Sequence, residues 1–190
     1  MDHLIAFVIR LLYDLLNLSN SLVAYMNVLL AISITTGILS GIWGWLSISL
    51  GLLSWAGFLG CTSYFASPKD GIKGLASSLL TNMSGVFWAM VIIHGSNLLA
   101  AEILGYVVTG VVAFMMCIQA KKSWLAYIPG TFIGSCATFA ASGDWALVVP
   151  SIIVGGIFGY LMKTTGIMLK DAIDNRSKQQ KSQPVTQASN

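Results

Sequence analysis

Charged residues are scarce in this sequence: Asp, Glu, Lys and Arg together make up 9% of its 190 residues, against about 25% in soluble domains. Three charges lie in residues 1–25, seven in residues 163–190, and seven between these segments. A soluble fold needs more charge to cover its surface, and apolar residues make up 56% of the chain. The composition excludes a soluble enzyme, a nucleic-acid-binding domain and a disordered chain, and it predicts an all-α, polytopic membrane protein.

Side chains that carry chemistry are also few. His3 and His94 are the two histidines, and Cys61, Cys117 and Cys136 are the three cysteines, none of them at CxxC spacing. The sequence has no phosphate-binding glycine loop, no nucleophile elbow and no paired carboxylates. We therefore expect no metal, no cofactor, no structural disulfide and no enzymatic activity.

The apolar segments predict six membrane-spanning helices. Residues 27–66 contain no charge, and this stretch is long enough for two helices of about 20 residues each. The turn between these two helices is expected near residues 44–51, where glycine and serine interrupt the apolar run. Further helices are predicted over about 75–94, 102–120, 124–141 and 146–162.

The basic residues predict the orientation. The segments 67–74 and 121–123 and the chain from Lys163 onward carry the lysines, whereas the turns near 44–51, 95–101 and 142–145 contain no Lys or Arg. Basic loops of membrane proteins stay in the cytoplasm. Six spans put all three basic segments on that side, so both ends of the core 26–170 are predicted to be cytoplasmic.

Both ends of the chain lie outside this core. In residues 1–25, polar side chains including His3, Arg10 and Asp14 share one face of a predicted amphipathic helix. This helix either lies on the membrane surface or forms a seventh span, and Met26 is an alternative start of the protein. Residues 171–190 are polar and are predicted to be a disordered tail.

The sequence also contains an internal similarity. At a shift of 74 residues, five residues near the end of the second span fall on identical residues near the end of the fifth: Phe58, Gly60, Phe65, Ala66 and Asp70 fall on Phe132, Gly134, Phe139, Ala140 and Asp144. The repeats would be 27–95 and 101–166, although chance matches of common residues are the alternative. Because each repeat has three spans, the second copy would be inverted, an architecture found in transporters.

Neutral polar residues and aromatic residues suggest where a solute path would run. No span has a charged residue near its middle, which is compatible with a pore for a small uncharged solute. The candidate lining residues are Phe58, Thr62, Phe65, Asn82, Phe132, Thr138 and Phe139. Ordinary packing is the alternative for the phenyl rings and hydroxyls. The alternative function is a non-transporting structural or regulatory partner of another membrane complex.

Glycines recur at the four-residue spacing that allows membrane helices to approach closely. The candidate packing residues are Gly37 and Gly41, Gly130 and Gly134, and Gly155 and Gly159. These pairs predict tight packing within the chain or self-association through one of the faces. A homo-oligomer is therefore a further expectation, beside contact with the lipid bilayer.

Four stretches carry a resemblance to a known family. They are MNVLLAISITTGILSGIWGWL at 26–46, LGLLSWAGFLGCTSYFA at 50–66, SGVFWAMVIIHGS at 84–96 and IPGTFIGSCATFAASGDW at 128–145. The segment from 26 to about 170 resembles the YcdZ-like family of small bacterial inner-membrane proteins, whose domain has no known function. The resemblance implies a bacterial inner membrane, and it implies no activity, substrate or functional residue.

Overall fold

A computed structural model describes residues 28–98 and 102–182, and within these ranges all the regular structure is helical. Six α-helices follow one another: α1 Val28–Ser49, α2 Ser54–Phe65, α3 Gly71–Leu98, α4 Glu102–Ile118, α5 Ile128–Ala140 and α6 Trp145–Ser182. A short 3-10 helix, Gln119–Lys121, extends α4. The prediction of an all-α polytopic membrane protein is confirmed. The predicted amphipathic helix 1–25 and the alternative start at Met26 lie outside the described residues.

The six helices divide into two lengths. Four of them, α1, α3, α4 and α6, are long and apolar enough to cross a membrane. The other two, α2 and α5, have 12 and 13 residues, which corresponds to about 18–20 Å, against about 30 Å of hydrocarbon. Both are shorter than the spans predicted from the sequence.

Local backbone geometry limits the two short helices. Gly51 adopts a positive φ of 66° before α2, and Leu53 at the start of α2 is extended. Pro129 occupies the first turn of α5, where proline is favoured because its fixed φ suits the helix and its missing backbone N–H would have no intrahelical partner. Hydropathy did not reveal these boundaries, since apolar residues continue on both sides of each turn.

The C-terminal prediction needs a correction. The sequence predicted a disordered tail over residues 171–190, but α6 continues through Ser182, and residues 183–190 lie outside the described part of the chain. The polar extension is rich in residues with good helix propensity, and Lys170 pairs with Asp174 one turn later. Because these residues follow a long apolar helix, propagation of the helix needs no new nucleation.

The chain forms two compact units. Among the described residues, one comprises 28–35 and 165–182 and the other 36–98 and 102–164. In the described part of the first unit, Gly166 on α6 packs against Ile32 on α1 so closely that a Cβ at position 166 would overlap it.

The second unit contains the buried core. Its apolar cluster comprises Ala56, Val86, Ala137, Val148 and Ile152, which come from α2, α3, α5 and α6. About two-fifths of the hydrophobic windows of α3 and α6 are buried, at 44% and 39%, against 11% for α1 and α4. The short helices and their two long neighbours therefore form the centre, and α1 and α4 have mostly exposed surfaces.

Candidate functional site

A cluster of polar side chains is buried between α2 and α3. Ser78 Oγ donates a hydrogen bond of 2.8 Å to Ser63 Oγ, which donates one of 3.0 Å to Asn82 Oδ1. The side chains of all three residues are completely buried. The Asn82 Nδ2 amide group has no hydrogen-bond partner among the described residues.

Tyr127, which immediately precedes α5, completes this cluster. Its ring is buried, and its hydroxyl lies near Ser63 without making a hydrogen bond of normal geometry to any described residue. A phenolic hydroxyl is protonated at neutral pH, so Tyr127 is able to donate a hydrogen bond.

We call Ser63, Ser78, Asn82 and Tyr127 the central polar cluster. It contains two buried polar groups, one amide and one hydroxyl, that lack a partner in the described chain. Leaving such a group unbonded costs about 1–3 kcal/mol, and buried polar groups in native proteins are normally bonded. The cluster therefore contains two buried polar groups whose hydrogen-bonding capacity is unused within the described residues.

A second polar junction is centred on Gln119 in the 3-10 helix. Its side-chain oxygen accepts hydrogen bonds from Ser84 Oγ at 2.7 Å and Trp88 Nε1 at 3.0 Å. Its Nε2 donates to Thr131 Oγ1 at 3.1 Å. Gln119 thus joins the end of α4 to α3 and α5. Sequence reasoning missed this residue, although an amide just before Lys121 and at the end of an apolar run was an available signal.

Close glycine contacts hold the two short helices against the long ones. A Cβ on Gly134 of α5 would overlap the backbone of Asn82 on α3, and a Cβ on Gly60 of α2 would overlap Ile152 and Gly156 on α6. In both places the obstacle is main chain. No flexible side chain is there to move aside.

Two further close glycine contacts lie about one helical turn away from these. Gly85 on α3 packs against Ser135 on α5, and Gly159 on α6 packs against Cys61 on α2. Adding 74 to positions 60, 61, 82 and 85 gives 134, 135, 156 and 159, so the two sets of contacts correspond residue by residue.

The six candidate packing glycines therefore occupy different environments. An added Cβ would contact another helix at Gly134, Gly155 and Gly159. At Gly130 it would contact Thr81 on α3 and Tyr127, which precedes α5. Gly37 and Gly41 on α1 have no heavy atom within 4 Å of an added Cβ.

Among the candidate lining residues, Asn82 and Thr138 are fully buried. Thr62 is exposed, and its hydroxyl donates to the Phe58 carbonyl oxygen of its own helix at 2.9 Å. Thr62 and Thr138 therefore differ in burial, and their part in a solute path stays a prediction. Their separation is 76 residues, and the shift of 74 pairs Thr62 with Cys136, which is also exposed.

The phenyl rings lie mainly at the surface of the chain. Phe58, Phe132 and Phe139 are each about two-fifths exposed, at 41%, 40% and 43%. Phe65 is half-buried and packs edge-on against Tyr64 at 6.2 Å between ring centroids. The rings do not surround the central polar cluster, and their part in a solute path stays a prediction.

The basic segments of the second unit meet at one end of its helices. Lys163 on α6 forms an ion pair of 2.5 Å with Asp70, in the loop before α3. Lys69 and Lys73 share a cavity with Trp124, which follows the lysines of the next basic segment. The segments 67–74 and 121–124 and the residue Lys163 therefore lie at the same end.

Comparison with known proteins identifies a family and several relatives. The family model "Protein of unknown function (DUF1097)" matches residues 33–167. The chain is 68% identical over 145 residues to "Inner membrane protein YcdZ" of Escherichia coli, covering 76% of this chain and 89% of that protein.

Two further relatives extend the comparison. The chain is 63% identical over 153 residues to "Inner membrane protein YcdZ" of Salmonella typhimurium, covering 80% of this chain and 96% of the relative. It is 29% identical over 163 residues to "Uncharacterized protein YahC" of Escherichia coli, covering 80% and 98%. No solved structure matches the chain.

Proposed function

The chain belongs to the family of proteins of unknown function DUF1097, and we propose that it is a passive facilitator for a small uncharged solute. It is an integral inner-membrane protein, and its YcdZ relatives carry that location in their names. The observation that carries the proposal is the central polar cluster. Asn82 and Tyr127 there retain hydrogen-bonding capacity in an otherwise buried position.

The chemistry of the cluster favours a neutral solute. Ser63, Ser78 and Asn82 offer hydroxyl and amide groups without formal charge. Such groups can replace part of the hydration of a small polar molecule, whereas an ion or a coupled proton usually requires an ionisable residue in the helix bundle. Water, short polyols and urea-like amides are therefore the solutes to test first.

The arrangement of the short helices supports the same proposal. The end of α2, at Ser63, lies near Tyr127 at the start of α5, while Ala56 and Ala137 share the buried apolar cluster. The two short helices therefore run antiparallel. Together with the paired glycine contacts at the shift of 74 residues, this supports an inverted repeat, in which a solute site lies near the repeat interface.

Solute flux into proteoliposomes tests the proposal. Stopped-flow light scattering is measured with purified protein in gradients of glycerol and urea, and with water alone. Asn82→Ala and Ser63→Ala should each lower the flux of the transported solute at least fivefold, because they remove groups of the cluster. Thr62→Val is the matched control, since it removes an exposed hydroxyl from the same helix as Ser63, and its flux should stay within twofold.

Folding is checked separately by gel filtration and helical circular dichroism of each variant. Flux through the unaltered protein that equals flux into empty liposomes for every solute would refute the facilitator function. Flux that is present but insensitive to both cluster variants would refute the assigned site.

A second candidate function is that of a non-transporting partner in a membrane complex. Three glycines on α1 favour this function: an added Cβ on Gly37, Gly41 or Gly44 would meet no heavy atom within 4 Å. Small residues with open space around them allow another membrane helix to approach closely. Replacing Gly41 by Ile should then abolish cysteine cross-linking of α1 to a neighbouring protein or to a second copy. Gly110→Ile on α4, which also faces open space, is the control. Unchanged cross-linking in Gly41→Ile would count against this function.

We also infer that both ends of the six-helix core face the cytoplasm. Two observations support this orientation. The three basic segments lie at one end of the second unit, and basic loops of membrane proteins stay in the cytoplasm.

A further inference from the structure

A cavity of about 440 Å³ opens beside the start of α3, and none of its lining residues belongs to the central polar cluster. It is lined by Lys69, Lys73, Ala76, Ser77, Leu80 and Trp124. Its volume falls in the range of about 300–1,000 Å³ that is typical of ligand pockets. The facilitator function makes no use of this cavity.

Two lysines line the cavity, and no acidic residue is among its lining residues in the described part of the chain. Neither Lys69 nor Lys73 makes an ion pair within the described residues, and the neighbouring Asp70 is occupied by Lys163. Lys73 also lies in the first turn of α3, where the helix dipole disfavours a cation. Helix stability therefore does not explain the position of Lys73, and together the two lysines make the cavity an attractive site for an anion.

The other side of the cavity is apolar. Lys73, Ala76, Ser77 and Leu80 are spaced along one face of α3, so the lining changes from charged to apolar over two helical turns. Leu80 is 46% exposed. Trp124 stands beside the lysines, and tryptophan is typical of the boundary between lipid headgroups and hydrocarbon.

We propose that this cavity binds the phosphodiester headgroup of an anionic phospholipid of the surrounding membrane. Lys69 and Lys73 contact the phosphate, Trp124 packs against the glycerol backbone, and an acyl chain follows Ala76 and Leu80 along α3. A free phosphate compound offers the same anion but leaves the apolar side of the cavity unused, so the lipid is the occupant that fits both ends.

The combination of two lysines and an apolar wall makes the proposal specific. Basic pockets between membrane helices attract anionic headgroups, and each lysine near the surface contributes about fivefold in affinity. Removal of both lysines should therefore weaken binding of the anionic lipid about 25-fold.

The experiment uses the full chain in detergent and measures lipid binding by native mass spectrometry. Phosphatidylglycerol is titrated against the unaltered protein, the double variant Lys69→Gln/Lys73→Gln and the matched control Lys121→Gln/Lys122→Gln. The control removes the same charge, and Lys121 and Lys122 do not line the cavity. Phosphatidylethanolamine and soluble glycerol phosphate are the two comparison ligands.

The expected result is preferential binding of phosphatidylglycerol, weakened about 25-fold in the cavity variant and less than twofold in the control. Equal weakening in both double variants would show a general charge effect and overturn the site. Equal binding of phosphatidylethanolamine would overturn the role of the lysines. Glycerol phosphate that binds as tightly as the lipid would show a soluble anion as the ligand and overturn the lipid assignment.

Discussion

The contact between Gly134 and Asn82 gives the sharpest test of the packing. In Gly134→Ala the added methyl group would overlap the carbonyl oxygen, carbonyl carbon and Cα of Asn82. Because this obstacle is main chain in the middle of α3, relief requires α5 and α3 to separate. We therefore expect a large loss of stability from a single methyl group.

The magnitude follows from two opposing effects. Overpacking of a close-packed interior costs about 1–3 kcal/mol, and the rigid backbone obstacle places this site at the upper end. Replacing a helical glycine by alanine returns about 1 kcal/mol through helix propensity. The free energy of unfolding of Gly134→Ala should therefore fall by about 2 kcal/mol.

Gly37→Ala is the matched control, because an added Cβ there meets no heavy atom within 4 Å. This variant should be unchanged or up to about 1 kcal/mol more stable, so the two variants should differ by about 2–3 kcal/mol. The assay is reversible unfolding of the purified protein in mixed micelles, followed by circular dichroism. A Gly134→Ala variant as stable as Gly37→Ala would refute the close helix contact.

Three further predictions follow from the polar contacts and the topology. Gln119→Leu should lower the free energy of unfolding by about 2 kcal/mol, because the half-buried Ser84 and Trp88 and the buried Thr131 lose one hydrogen bond each. Thr109→Val, which removes an exposed hydroxyl, should change it by less than about 0.5 kcal/mol, and equal losses would contradict the role of Gln119. Asp70→Asn should lower the free energy of unfolding by less than about 1 kcal/mol, since the Asp70 side chain is 84% exposed in its ion pair with Lys163. A loss above about 2 kcal/mol in the same unfolding assay would contradict a weak, exposed ion pair. Reporter fusions after Lys122 should be active in the cytoplasm and those after Asp144 in the periplasm, and a periplasmic signal after Lys122 would overturn the proposed orientation.

The central polar cluster and the polar junction at Gln119 both depend on contacts between helices that the sequence does not specify. Asn82 was recognisable as an amide inside an apolar segment, but its partner Ser63 lies 19 residues away on another helix, and Ser63 in turn accepts from Ser78. The partners of Gln119 likewise come from two different helices. Hydrogen bonds between helices depend on how the helices pack, which hydropathy alone does not specify.

The sequence by itself determined the membrane class and the approximate positions of six helices. Charge cannot enter hydrocarbon at low cost, so the seven charges between residues 26 and 162 mark the loops and helix ends directly. The sequence also determined that the basic segments alternate with uncharged turns. These features need only the difference between water and lipid as solvents.

Only the tertiary structure decided which face of each helix is buried. In lipid both faces of a helix are apolar, so no hydrophobic periodicity separates the exposed Thr62 from the buried Thr138. The structure likewise decided that Gly134 packs tightly while Gly41 faces open space. Close packing between helices is set by complementary shapes of distant segments, and a glycine shows only that such an approach is allowed.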